Sequence, residues 1–314
     1  MNIPTIFGRL TTALLALVFA ATAAAAQPGP PPGSTPGSTP GGALGGPPGG
    51  LPPASGPLLP RVLVWADVQT GFHHDSINRA MAAIEELGRE SGLWTTYLRT
   101  DSQLITRQPI VGQGSRYTGR YINAHNLNDF DAIFFLGSGE GTLSNTQKAD
   151  LLAFVREDGK GFVGGHASTI AFYDWPEYGE MLGGFQSGEY RVEPHKLIKE
   201  DADFPGVKDF PAVFPEQYQF LNDSYKANDI HVLLRLDPRD LTPEQLARRP
   251  DGDLPVVWTR TYGKGRVYVS TFGHLDSVWD DPSVRKLYFE GIKWALGPAL
   301  ARSATRTPSA TPAP

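Results

Sequence analysis

The chain has 314 residues, seven histidines, no cysteine and a formal net charge of −5. Without cysteine, thiolate catalysis is excluded, and the composition fits an oxidising compartment that needs no disulfides. With modest charge and no dense Lys/Arg cluster, nucleic acid is excluded as a partner, and the length admits one large domain or two small ones.

Residues 1–26 read as a signal peptide, with Arg9 ahead of the apolar run Ala13 to Ala21 and an Ala-x-Ala cleavage site within Ala23 to Ala26. The run is shorter than the ~20 residues that span a bilayer, so the expected localisation is periplasmic or secreted, with no membrane span after cleavage. A retained anchor is the competing reading. Residues 27–60 are almost wholly Pro, Gly, Ser, Thr and Ala, a composition that buries too little apolar surface to fold and reads as a disordered linker. Residues 298–314 read as a disordered tail for the same reason, which leaves residues 61–297 as one folded domain.

Within that block, Arg61 to Asp67 is a nearly continuous apolar run, the pattern of a buried parallel strand. A helix follows, with Ile77, Ala80, Met81, Ile84 and Leu87 on one face and a stop between Gly88 and Gly92. Trp94 to Arg99 and Ala132 to Leu136 are the next strands. Ser144 or Asn145 caps a helix carrying Leu151, Leu152, Phe154 and Val155, after which Gly161 to Gly165 is a strand running straight into His166. The alternation predicts an α/β fold, a flavodoxin-like parallel sheet flanked by helices. Later, Tyr190 to Ile198, Ile230 to Leu236, Val256 to Tyr262 and Arg266 to Phe272 read as strands without intervening helices, the last two joined at Gly263-Lys264-Gly265. They predict an added antiparallel section, closed by a helix from about Pro282 to Leu296.

Ligands of open parallel sheets bind beyond the carboxyl ends of the strands. Three loops at such ends carry histidine: Gly71 to Ser76 with His73, His74 and Asp75, Gly164 to Thr169 with His166 and Ser168, and Gly273 to Asp276 with His274. Each has a plain structural reading, since Asp75 and Ser76 are ordinary N-cap residues and His274 would serve as a core histidine bonded to a carbonyl. Recurrence at corresponding strand ends favours one pocket, with His74, His166 and His274 as its catalytic candidates and His125 and His231 outside it. Imidazoles grouped in this way supply general acid and base, donate to an anionic intermediate, or ligate a metal. No His-Glu-x-x-His spacing is present, so a divalent metal would be held by distant loops; no nucleotide cofactor is expected. Ser168 lies outside any Gly-x-Ser-x-Gly pattern and is a poor nucleophile candidate.

An ordered series of short motifs runs through the block: GFHHDSI from Gly71, GGHAST from Gly164, Tyr173-Asp174-Trp175-Pro176, Glu193-Pro194-His195-Lys196-Leu197, Pro215 to Phe220, Val257-Trp258, Tyr262 to Val267, Gly273-His274, and Gly291 to Gly297. In that order they resemble the ThuA-like (trehalose-utilisation) family. The resemblance implies a class I glutamine amidotransferase-like fold, without amidotransferase chemistry because the elbow cysteine is missing. It implies a role in disaccharide and keto-sugar metabolism, with His74, His166, His195, His274, Glu216 and Tyr218 at motif positions. An acidic pair is commoner in the family where this chain has Pro215-Glu216. The expected ligand is a small-molecule carbohydrate contacted by Asp75, Ser168, His195, Glu216, Tyr218 and Trp279, with Glu216 and Tyr218 at the rim. Trp175, Tyr178, Tyr218 and Trp279 are aromatic enough to stack on a sugar, although core packing is the default for each. The expected activity is a hydrolase or lyase acting on a glycoside or 3-keto-glycoside; the alternative is a non-catalytic sugar-binding module tethered at the cell envelope.

Overall fold

The computed structural model describes residues 59–123, 125–221 and 229–305; the expected signal segment, nearly all of the linker and the end of the tail lie outside them. The elements, in chain order, are β1 (Arg61–Trp65), α1 (Ser76–Ser91), β2 (Thr95–Arg99), α2 (Gly114–Tyr117), β3 (Ala132–Phe135), α3 (Asn145–Arg156), β4 (Gly161–Gly165) and α4 (Pro176–Leu182). They continue with β5 (Gln186–Lys199), α5 (Pro205–Lys208), β6 (Val213–Leu221), β7 (His231–Leu236), α6 (Pro243–Ala247), β8 (Pro255–Tyr262), β9 (Gly265–Ser270) and α7 (Pro282–Thr305). Nine strands form one sheet in the order β2-β1-β3-β4-β9-β8-β7-β5-β6. From β2 to β9 the pairs are parallel, and from β9 to β6 antiparallel. The parallel half therefore has the 2-1-3-4-5 flavodoxin-like order, and the antiparallel section extends one edge.

Strand alternation divides the core in two. Val62, Val64, Ala132, Phe134 and Val163 face α1 and α7, where Ile77, Ala80, Ile84, Val284, Leu287 and Ile292 cover them. Their neighbours Leu63, Trp65, Ile133, Phe135 and Phe162 face the opposite side, under Leu151, Phe154 and Val155 of α3 and Tyr178, Met181 and Leu182 of α4. Because both faces are buried, the strands read as continuous apolar runs.

Local punctuation sets the boundaries. α1 ends on Gly92, whose left-handed φ of 65° lets its N–H bond to Gly88 O. Ser144 caps α3 in a reciprocal box with Gln147, whereas Asp75 precedes α1 without a capping bond from its side chain. Three expectations change. β6 has no strand signature in the sequence, because Pro215 and the polar residues Glu216, Gln217 and Gln219 break its apolar pattern. Pairing with the long β5 makes it one. The final helix runs past Leu296 and through Pro298 to Thr305, so the start of the expected tail is helical: Ala299 is buried, Leu300 packs on the core and Arg302 reaches Asp131 at 3.2 Å. At the other end, Pro60 is buried and its carbonyl accepts from Thr95 N, so the fold begins just inside the expected linker. Among the described residues, no helix is long and apolar enough to cross a membrane.

Candidate functional site

β1, β4 and β9 run parallel, so the segments leaving their carboxyl ends emerge at one edge of the sheet. After β1 the chain crosses the turn that follows β3. Gly71 makes this close approach feasible, since a Cβ there would stand 2.2 Å from Ser138 O, and Ser138 Oγ donates to Phe72 O at 2.8 Å. The crossing brings His74 toward the end of β4. There the strand bends sharply at His166, whose φ of 29° is rare for a residue with a Cβ and stores strain. After β9, Gly273 at φ 128° turns the chain so that His274 faces back; a Cβ on Gly273 would strike the Trp279 ring at 2.5 Å.

The three imidazoles meet. Ring centroids are 4.9 Å apart for His74 and His166, 5.5 Å for His74 and His274, and 5.2 Å for His166 and His274, all edge-on. His166 is fully buried, and its Nδ1 lies 2.8 Å from Thr271 O. A carbonyl only accepts, so Nδ1 carries the hydrogen and Nε2 keeps its lone pair. That Nε2 lies 3.3 Å from His274 Nδ1. Burial pushes the His166 pKa down to about 3, helped by the facing His74. Burial also lowers His74 to about 4, with His274 adding to the effect, and depresses the half-exposed His274. All three are therefore neutral at pH 7.

A cleft of about 480 Å³ opens over His74 and His274. Its walls are Phe72, His73 and Asp75 from the first segment and Leu275, Asp276 and Ser277 from the last. Phe72 is 70% exposed and Leu275 43%, so two apolar surfaces stand beside two carboxylates. Phe72, His73, Leu275 and Asp276 carry no chemical signature of a ligand contact in the sequence itself. Their adjacency to His74 and His274 was the available signal.

Of the expected ligand contacts, Asp75 alone lines this cleft. Glu216 is fully buried rather than at the rim: it accepts from Gly273 N and Gln217 N, each at 2.8 Å, and so anchors the turn that carries His274. Burial raises its pKa to about 7 despite the N–H groups of Gly273, Gln217 and His274. Tyr218 is also interior, its hydroxyl donating to Phe214 O at 2.7 Å. Trp279 packs 4.6 Å from the Tyr288 ring and donates to Gly273 O at 3.0 Å, leaving no face for a sugar. Ser168 is buried, packed so closely on β4 that a Cβ on Gly164 would lie 2.6 Å from its Oγ. His195 belongs to a different network on β5, with Glu193 at 3.2 Å and Asp240 at 3.5 Å. Trp175 and Tyr178 are core residues of the opposite face. His125 lies beside Tyr97 and Asp129, and His231 beside Asp201, both apart from the trio.

The family model for ThuA, described as trehalose utilisation, matches residues 61–295. Solved structures with similar folds include a ThuA-like protein from Bacteroides uniformis, at 19% identity and TM-score 0.59 over 80% of this chain and 95% of that one. A ThuA-like protein from Parabacteroides merdae is similar at 15% identity and TM-score 0.54, over 76% and 90% of the two chains. No curated protein gives a significant sequence match. The likeness to these structures is one of fold, the flavodoxin-like parallel sheet described above, and with no cysteine in the chain the sharp bend after β4 carries His166. On the family match and the architecture together, this chain belongs to the ThuA family.

Proposed function

We propose that this protein is an exported carbohydrate-metabolism enzyme, a lyase or hydrolase that acts on a 3-keto-glycoside at the cleft over His74, His166 and His274. The observation that carries the reading is the convergence of three neutral imidazoles below an open cleft with an exposed aromatic and two carboxylates at its walls. A carbonyl at C3 of a glycoside acidifies the C2 proton. Once a base takes that proton, the electrons of the C2–H bond form the C1–C2 double bond, the C1 substituent leaves with its bonding pair, and water adds afterwards. No covalent nucleophile is required, in keeping with the buried Ser168 and the absence of cysteine. The site must accept one proton and stabilise the enolate oxygen, and an imidazole has to be unprotonated to do the first or to act through a metal in the second. Phe72 offers an apolar face to the sugar ring, and Asp75 and Asp276 accept from its hydroxyls. The reading of residues 1–26 as a signal peptide and of residues 27–60 as a tether or spacer supports a periplasmic or secreted location for this activity.

The test is turnover of a 3-keto-glucoside against its parent glucoside by the purified chain, with and without added divalent metal. The keto compound should react faster by orders of magnitude. Equal turnover of both would refute the elimination route, and saturable sugar binding with turnover of neither would favour the binding-module reading.

A further inference from the structure

The geometry points to a binding site for one divalent transition-metal ion, of zinc type, on His74, His166 and His274. One nitrogen from each residue lies within 4.8 Å of the others. The 3.3 Å between His274 Nδ1 and His166 Nε2 is long for an N–H···N hydrogen bond. It matches the roughly 3.3–3.4 Å that separates two nitrogens bound at about 2.0–2.1 Å to one tetrahedral ion. The ring planes cross at 87°, 84° and 62°, so the three imidazoles meet edge to face rather than stacked, with no side chain of another residue type needed to complete the triangle of nitrogens.

His166 is built as a ligand. Its Nδ1–H is committed to Thr271 O, which sets the tautomer and leaves Nε2 as a fixed donor atom, the outer-shell arrangement usual for metal-bound histidine. His74 adds an unsatisfied group, since its buried Nδ1 makes no hydrogen bond. Glu216 contributes a buried acidic group beneath the His274 turn. Three protein ligands below a cleft leave a coordination position open to solute, the pattern of catalytic rather than structural zinc. This goes beyond the sugar reading and does not depend on it. Joined to it, the three imidazoles would hold the ion, which would supply Lewis-acid polarisation of the keto oxygen, and the C2 proton would pass to an unligated group of the cleft wall, His73, Asp75 or Asp276.

The test uses the metal alone. Chelator-treated full-length protein is titrated with Co²⁺, following its visible absorption, and with Zn²⁺ by calorimetry. One ion per chain should bind. His74→Ala and His274→Ala should each weaken binding by more than roughly 100-fold, because even the outer partners of ligating histidines are worth about 10–100-fold. His195→Ala and His231→Ala should leave it unchanged. His274 is half-exposed, so its removal spares the core, and His274→Gln is the second variant if His74→Ala fails to fold. Absence of saturable one-to-one binding, or wild-type affinity in a folded His274 variant, would overturn the site whatever the outcome with sugars.

Discussion

Replacing Glu216 with glutamine preserves volume but removes the one ionisable group inside the anchor of the His274 turn. In the native protein the carboxyl is fully buried and its pKa is raised from 4.5 to about 7, chiefly by burial. The folded state thus holds a proton that the unfolded chain releases. Stability from this group is fully present below about pH 4.5 and is lost as pH rises through about 7. A shift from 4.5 to about 7 corresponds to roughly 3 kcal/mol at about 1.4 kcal/mol per unit. Glutamine cannot titrate, and it leaves one of the N–H groups of Gly273 and Gln217 facing an amide NH₂, costing about 1–3 kcal/mol at every pH. Thermal unfolding of chelator-treated protein from pH 4 to 8 should therefore show wild type ahead at pH 4 and the advantage gone by pH 8. At about 2–4 °C per kcal/mol for a domain of this size, the gap should change by roughly 6–12 °C. Parallel curves for the two proteins would refute the buried, raised carboxyl.

Gly291→Ala should lower stability by about 1–3 kcal/mol although alanine is worth about 1 kcal/mol more than glycine in a helix, because the added methyl would lie 2.6 Å from the Tyr268 ring; chemical denaturation reads this directly. Phe72→Ala should move the unfolding midpoint by less than about 0.5 kcal/mol, as expected of an exposed side chain, yet weaken sugar affinity in calorimetry. Unchanged affinity would remove Phe72 from the substrate surface. Asp67 Oδ2 accepts from Ser102 Oγ, Thr142 N and Thr142 Oγ1 at 2.6, 2.7 and 2.7 Å. Burial raises its pKa, but these bonds and the N–H of Gln69 outweigh burial, so it is lowered overall. The stability this carboxylate contributes is present above 3.8 and is lost as pH falls through the lowered folded value. Asp67→Asn should thus cost about 1–3 kcal/mol at pH 7 and progressively less in acid, as measured by urea titration at both pH values.

Much of the parallel half was legible from local pattern alone. Runs such as Ala132–Phe135 and Gly161–Gly165, the Gly92 stop and the Ser144 cap act through neighbours a few residues away, so their physics is contained in a short window of sequence. The histidine-bearing loops could be nominated for the same reason, since each follows a recognisable strand. What lay beyond local pattern was which faces those elements present to one another. β6 becomes a strand only by pairing with β5, and that pairing turns Glu216 and Tyr218 inward, away from the rim expected of them. Trp279 is core because α7 brings Tyr288 against it, and His195 leaves the site because β5 carries it to Glu193 and Asp240. The approach of His74, His166 and His274 depends on β1, β4 and β9 emerging at one edge, residues far apart in the chain joined by sheet order. Residue type and periodicity determined where imidazoles and strands lie along the chain; long-range strand pairing, stabilised by burial on both sheet faces, decided which side chains share a cavity and which are sealed beneath it.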